Sequence, residues 1–240
     1  MNGKTASVRI LRYDNGVTAW EWDLVPKEHV LTVWIGDEMA CELNCSADAL
    51  EDLAVGHLVG TRRLRRGDDV RVYLTPGDEQ SDAVIEVSGG GEHPIAGGSG
   101  EASPTTPGEI HFAMQEVVAF SDMFRETGGA HCSGYFEEDA PEILRDDVAR
   151  HNTIDKIIGA AFRTGRTLDR GVLCTTGRVS TEIAHRCLLA GVRILVSRGA
   201  PTSSAITLAR AGGLALVGFT RGSRFNCYSH PQRIAFPDES

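Results

Sequence analysis

Three polar turns near the end of this chain carry side chains suited to gripping an anion. They are Thr175-Thr176-Gly177-Arg178-Val179-Ser180, Ser197-Arg198-Gly199-Ala200-Pro201-Thr202-Ser203-Ser204, and Phe219-Thr220-Arg221-Gly222-Ser223-Arg224. The first two read as strand-to-helix junctions, with Ser180 placed to cap one helix and hydroxyls at 202–204 near the start of the next. A helix start leaves backbone N–H groups unpaired and carries the positive end of the helix dipole. Pro201 fixes the approach to the second start. Arg221 and Arg224 on the third turn add planar guanidinium groups that contact phosphate through paired hydrogen bonds. Together these turns predict a phosphate-bearing ligand at one edge of a sheet, held by Gly177, Arg178, Ser180, Pro201, Thr202, Ser203, Phe219, Thr220, Arg221, Gly222, Ser223 and Arg224. The plainer alternative at each turn is an ordinary cap or a solvated surface charge.

A second constellation lies upstream, in Asp146-Asp147-Val148-Ala149-Arg150-His151-Asn152-Thr153-Ile154-Asp155-Lys156. Asn152 is predicted to cap a helix, Arg150 and His151 fall at its start, and Lys156 lies four residues further along the same face. The competing reading is a solvated helix start with Asp155 balancing the dipole. Thr127-Gly128-Gly129-Ala130-His131 supplies another glycine-bearing junction with an imidazole, and the two together extend the predicted site to Thr127, Gly128, Gly129, His131, Arg150, His151, Asn152, Asp155 and Lys156.

Several familiar chemistries fail on spacing. The chain has no G-x-x-x-x-G-K-[ST], no G-x-G-x-x-G after a strand and no G-x-S-x-G. The histidine and cysteine pattern of zinc deaminases is also missing. None of the six cysteines forms a C-x-x-C pair, so no zinc site is expected, and their scatter fits reduced thiols packed as small hydrophobes. Cys132, beside His131, is the candidate catalytic thiol, against the alternative that it only fills core.

The elements that must position these groups follow from periodicity. Strands are predicted at 7–13, 28–35, 70–74 and 83–87, with a helix from Ala47 to Leu58 capped by Ser46. A helix over 109–126 ends at Gly128, a hairpin spans 131–145, and a helix runs over 153–163. Strands at 171–175, 193–197 and 214–219 alternate with helices at 180–190 and 202–210, and a last strand covers 225–228. Such alternation indicates βαβ crossovers and a largely parallel sheet, whose carboxyl edge is where ligands bind. The expected organisation is a small α+β N-terminal domain over 1–88, a flexible Gly/Pro-rich loop over 89–108, and an α/β domain over 109–240.

Hydrophobic content of 41% and charged content of 24% are those of an ordinary globular protein. A net charge of -9 argues against nucleic acid or an anionic membrane as the main partner. No apolar run reaches the roughly 18 residues of a membrane span, and no signal-peptide core follows Met1, so a cytoplasmic address is expected.

The chain resembles the formate dehydrogenase accessory sulfurtransferase family (FdhD/NarQ type). The resemblance is carried by Leu53-Ala54-Val55-Gly56-His57-Leu58, the 127–131 and 147–156 segments, Gly177-Arg178-Val179-Ser180-Thr181-Glu182, Ala200-Pro201-Thr202-Ser203, and Val217-Gly218-Phe219-Thr220-Arg221 through Asn226, Tyr228, Pro231, Arg233 and Ile234. The resemblance implies a cytoplasmic sulfur carrier that accepts persulfide sulfur from a cysteine desulfurase. The sulfur would pass to a molybdenum bis-guanine-dinucleotide cofactor, mimicked by GDP, for formate dehydrogenase or another molybdoenzyme. It also implies a cytidine-deaminase-like core without zinc and a homodimer. Two departures stand out. The family carries sulfur on a C-x-x-C in the loop before the long helix, and Ile95-Ala96-Gly97-Gly98-Ser99-Gly100-Glu101-Ala102 holds no cysteine. Ala149 stands where the family usually has glycine, which would strain the turn if that position needs positive φ. A non-enzymatic chaperone of the guanylated cofactor is therefore the alternative to sulfur transfer.

Overall fold

The computed structural model describes residues 4–65, 67–88, 104–137 and 140–237. Most of the expected Gly/Pro-rich loop, including residues 95–102, lies outside the described residues.

The chain opens with a long hairpin, β1 (Thr5–Asp14) and β2 (Val17–Pro26), paired antiparallel through a turn at Asn15-Gly16. Both turn residues have positive φ, the geometry that an Asn-Gly pair favours because its twist matches that of the strands. Sequence periodicity predicted only the first of these strands. Lys4 ties the base of the hairpin down by ion pairs to Asp48 at 2.8 Å and Asp146 at 2.7 Å.

A four-stranded sheet follows, built from β3 (His29–Ile35), β4 (Glu38–Cys45), β5 (Asp69–Thr75) and β6 (Gln80–Ser88) in the order β4-β3-β6-β5. Helix α1 (Leu50–Gly60) buries Leu53, Ala54 and Leu58 against its inner face. Ser46 does not cap this helix. Its cap residue is Ala49, without a side-chain bond, while Ser46 Oγ accepts the Val148 N–H at 3.2 Å.

The expected single helix over 109–126 is two: α2 (Pro107–Phe120), opened by a capping box between Thr106 and Glu109, and α3 (Asp122–Thr127). Ser121 divides them, because its hydroxyl accepts the Phe124 N–H and donates to Asp146. Gly128 ends α3 at φ 65°.

The larger sheet contains β7 (His131–Glu137), β8 (Ala140–Asp147), β9 (Val172–Thr175), β10 (Ile194–Ser197), β11 (Ala215–Arg221) and β12 (Arg224–Ser229), in the order β12-β11-β10-β9-β7-β8. It is parallel only at β9-β10-β11. The flanking strands pair antiparallel, β7 with both β8 and β9, and β12 with β11. Helices α4 (Arg150–Arg163), α5 (Thr181–Leu189) and α6 (Ser203–Gly212) cover one face through Ile154, Ile183 and Ala205. Helix α2 covers the other through Ile110, Met114 and Val117. Alternation explains the division, since Leu173 points to one face while Val172 and Cys174 point to the other. Among the described residues no helix is long and apolar enough to cross a membrane.

Helices α1 and α4 join the two sheets by backbone contact. A Cβ on Gly56 would lie 1.7 Å from the Asp155 carbonyl oxygen, and one on Gly159 would lie 1.8 Å from that of Asp52. Neither backbone can yield without separating the helices. Gly56→Ala is expected to lower stability by about 3 kcal/mol or more, at the upper end of overpacking costs, read as a fall in the urea midpoint.

Candidate anion-binding site

Sheet topology brings the predicted turns to one edge. The parallel trio delivers its carboxyl ends there, and Ser133 pairing with Thr175 places the start of β7 beside the end of β9. His131 pairs with Asp147, so β8 ends at the same edge, where α4 begins. Arg221 pairs with Arg224 across the β11–β12 turn.

Backbone bonds stitch the turns together. Thr176 N–H donates to Cys132 O at 2.9 Å, and Arg198 N–H to Thr175 O at 2.9 Å. Val179 N–H donates to Ala200 O at 3.1 Å, Thr202 N–H to Val179 O at 2.9 Å, and Phe219 N–H to Gly199 O at 2.9 Å. Ser197 Oγ donates to Gly177 O at 2.7 Å and accepts from Gly199 N–H at 2.9 Å. Ser180 and Thr202 cap α5 and α6, accepting from Ile183 and Ala205. Phe219 adopts φ 54°, a left-handed conformation uncommon outside glycine, at an irregularity in the β11–β12 pairing.

His131, Arg150, His151, Arg178 and Ser180 gather at this edge. A Cβ on Gly177 would meet Arg150 Cβ at 2.9 Å and His131 Nδ1 at 3.6 Å, while one on Gly199 would lie 3.1 Å from the Arg178 backbone. His151 Nε2 lies 3.3 Å from Ser180 Oγ and 3.4 Å from Glu182. Burial, reinforced by Arg150, His151 and Arg178, pulls the His131 pKa down. Burial also pulls His151 down, and Glu182 only partly offsets it. Both rings are therefore held toward the neutral form beside arginines. On the α2 side, a cleft of about 300 Å³ is lined by His111, Arg125, Arg198, Thr220 and Arg221. Arg221 Nε donates to Arg198 O at 3.2 Å, joining the second and third turns.

Four polar atoms here are buried without a hydrogen-bond partner among the described residues: His131 Nδ1, Arg150 Nε, Thr220 Oγ1 and His111 Nε2. An unpaired buried polar group costs about 1–3 kcal/mol. Four at one sheet edge, rimmed by the exposed Arg178, Arg198, Arg221 and Arg224, fit an anionic ligand with several oxygen atoms.

Other predicted residues lie elsewhere or already have partners. Asn152 is inside α4, whose cap residue is Ala149, and its amide donates to Asn44 O and Asp147. Ala149 has φ -108°, so alanine carries no strain there. Lys156 is fully buried and paired with Asp147 at 2.7 Å and Asp48 at 3.0 Å. Asp155 is buried against Arg186 and His57. Positions 152, 155, 156 and 159 are spaced as one helical face, turned toward the N-terminal unit, and that spacing was the available signal. Thr127 bonds Met123 O and the Gly129 N–H, and Gly129 packs on Pro26. Ser203, Gly222 and Ser223 are exposed, and Pro201 bridges to Val179. Cys132 is fully buried, and burial raises its thiol pKa far above the ordinary range.

The geometry also reveals a network that sequence reading missed. His57 Nδ1 meets Asp155 at 3.2 Å, Asp155 pairs with Arg186, and Arg186 pairs with Glu182, which reaches His151. The His57–Asp155 spacing spans 98 residues, which no local motif can show.

The chain belongs to the FdhD/NarQ family, whose profile matches residues 92–235. It is 28% identical over 257 aligned positions to the Bacillus licheniformis protein named Sulfur carrier protein FdhD, covering 97% of this chain and 98% of that one. A Staphylococcus aureus (strain Newman) protein of the same name is 29% identical over 251 positions, covering 94% of each. The fold matches that of a crystal structure described as a formate dehydrogenase accessory protein from Desulfotalea psychrophila, with TM-score 0.83 and 22% identity over 96% of this chain and 99% of that one.

The His57 network sets a pH dependence. Burial alone would lower the His57 pKa, but the hydrogen bond that the ring donates to Asp155, with a smaller contribution from Cys41, outweighs it and raises it to about 9. A raised folded pKa contributes stability that is complete below the unfolded value near 6.5 and lost as pH rises through about 9. His57→Gln is expected to lower the urea midpoint most at pH 6. The gap, on the order of 2–3 kcal/mol, narrows as pH rises from about 6.5 and has closed by about pH 9.

Proposed function

We propose that this chain is a sulfur carrier in formate dehydrogenase maturation, holding a guanylated molybdenum cofactor as cargo at the anion site. The observation that carries the cargo reading is the group of unpaired donors, His131 Nδ1, Arg150 Nε and Thr220 Oγ1, buried beside a rim of arginines. A guanine dinucleotide presents phosphate oxygens to such donors and to the starts of α4, α5 and α6. The near full-length likeness to proteins named sulfur carriers supports the rest. In this reading the sulfur donor is a cysteine desulfurase, the recipient enzyme is a formate dehydrogenase or another molybdoenzyme, and the work is done in the cytoplasm by a homodimer. The order β8-β7-β9-β10-β11 supports a cytidine-deaminase-like core.

Binding leaves the chemistry to the cargo and the transferred sulfur. Arg178 and Arg221 hold phosphate, the neutral His131 and His151 take up protons as negative charge arrives, and the stitched turns fix the ligand against the sheet. A second reading, a cofactor chaperone without sulfur transfer, is favoured by one observation: residues 95–102 hold no cysteine and Cys132 is sealed in the core.

GDP is expected to raise the melting temperature by several degrees near 100-fold its Kd, about 2.7 kcal/mol of linkage. The combined Arg178→Ala and Arg221→Ala variant removes the shift. Calorimetry in buffers of different ionisation enthalpy should show proton uptake on binding and tighter binding at pH 6 than at pH 8. An unchanged melting shift in the double variant would place the nucleotide elsewhere.

A further inference from the structure

We propose that the outward face of the β1–β2 hairpin, built around Tyr13, Trp20 and Trp22, is the surface on which two copies of this chain meet. The inference rests on the homodimer in the reading above and gives it a location.

The hairpin is inverted in polarity. Its register sets Ser7, Arg9, Leu11 and Tyr13 opposite Leu24, Trp22, Trp20 and Thr18 on one face. On that face Tyr13 is 71% exposed, Trp20 62% and Trp22 70%, with Leu11 and Leu24 also in solvent. The other face is half-buried at Ala6, Val8, Ile10 and Val25, yet Glu21 and Asp23 lie there, paired with Arg12. Alternation that turns acids inward and tryptophans outward marks a surface that another layer covers.

The hairpin also lacks support within the chain. Strands β1 and β2 form a two-stranded sheet, and neither pairs with a third strand among the described residues. Its base is anchored, by Lys4 to Asp48 and Asp146 and by Pro26 packed on Gly129. Beyond that base every residue from Leu11 to Trp20 is exposed. A two-stranded ribbon is marginal in water and needs a third strand or a packed layer to be stable.

Area and charge select the occupant. A fully covered aromatic side chain buries about 150–250 Å², so the exposed parts of these three offer roughly 300–500 Å². The two leucines bring the face toward the ~800 Å² that each partner contributes to a stable interface. Arg9 is the one charged group on the face, and its guanidinium lies 4.9 Å from the centre of the Trp20 ring. A single cation suits neither nucleic acid nor an anionic membrane. A face without carboxylates, on a chain of net charge -9, is where two copies approach with least repulsion. Packing this face on itself about a two-fold axis covers both ribbons at once and gives each the layer it lacks.

Sedimentation equilibrium on the full-length protein tests the surface. At micromolar concentration the expected mass is twice the 25.8 kDa of one chain. Trp20→Ser combined with Trp22→Ser, and separately Leu11→Glu, raise the dissociation constant about 100-fold or more. Met39→Ser, at an exposed apolar position on β4, leaves it unchanged. Circular dichroism checks that each variant is folded. The chain has three tryptophans, so Trp34→Phe leaves fluorescence from Trp20 and Trp22 alone. Dilution through the dissociation constant then shifts that emission to the red as the rings enter water. A protein that is monomeric at micromolar concentration, with emission unchanged on dilution, overturns this surface and the homodimer together. A dimer that survives in both folded variants overturns the surface and leaves the homodimer standing.

Discussion

The backbone contact between α1 and α4 is the constraint on which the rest of the structure depends. Gly56 and Gly159 let the two helices touch without intervening side chains, so the smaller sheet is held rigidly to the larger one. Everything on the inner face of α4 must then find partners across that junction. Lys156 meets Asp48, Asn152 meets the Asn44 carbonyl, and Arg163 meets Asp52 at 2.6 Å. Removing one member of such a buried pair strands the other charge in a medium that solvates it poorly.

The same constraint divides the roles of the 147–156 segment. Its first helical residues, Arg150 and His151, project past the junction to the sheet edge, where His151 meets Glu182 and, among the described residues, no carboxylate pairs with Arg150. Residues one turn later face inward and are paired. A helix start can thus hold an anion with one end and a neighbouring sheet with its side, because successive residues turn by about 100°. The acidic surplus of the whole chain is compatible with a basic edge, since Asp48, Asp52, Asp147 and Asp155 are held in internal pairs.

Much of this was legible in the sequence where the signal is local. The alternation from β9 to β12, the cap at Ser180, the hydroxyl-rich helix start at 202–204 and the stop at Gly128 depend on residues within a few positions of one another, and the structure has them, with Thr202 as the cap. The Asn15-Gly16 hairpin was equally local, and its second strand alternates Trp20, Trp22 and Leu24 with Glu21 and Asp23, a period of two that sequence reading missed. Strand β4 is an edge strand with two interleaved cysteines, and its bulge breaks the period of two. Ser46 and Asn152 have the chemistry of helix caps, yet both have stronger partners contributed by distant segments. Contacts spanning 98 residues, as between His57 and Asp155, or 31, as between Asp155 and Arg186, have no local sequence signature.

The stitching of the turns at the sheet edge governs what kind of recognition they permit. Val179 N–H bonds Ala200 O, Thr202 N–H bonds Val179 O and Phe219 N–H bonds Gly199 O, so the three segments brace one another and have less freedom to lose when a guest arrives. Selectivity in such a seat comes from shape refusal: a molecule bulkier than the space between the arginines is admitted only at the cost of breaking the bonds that join the turns.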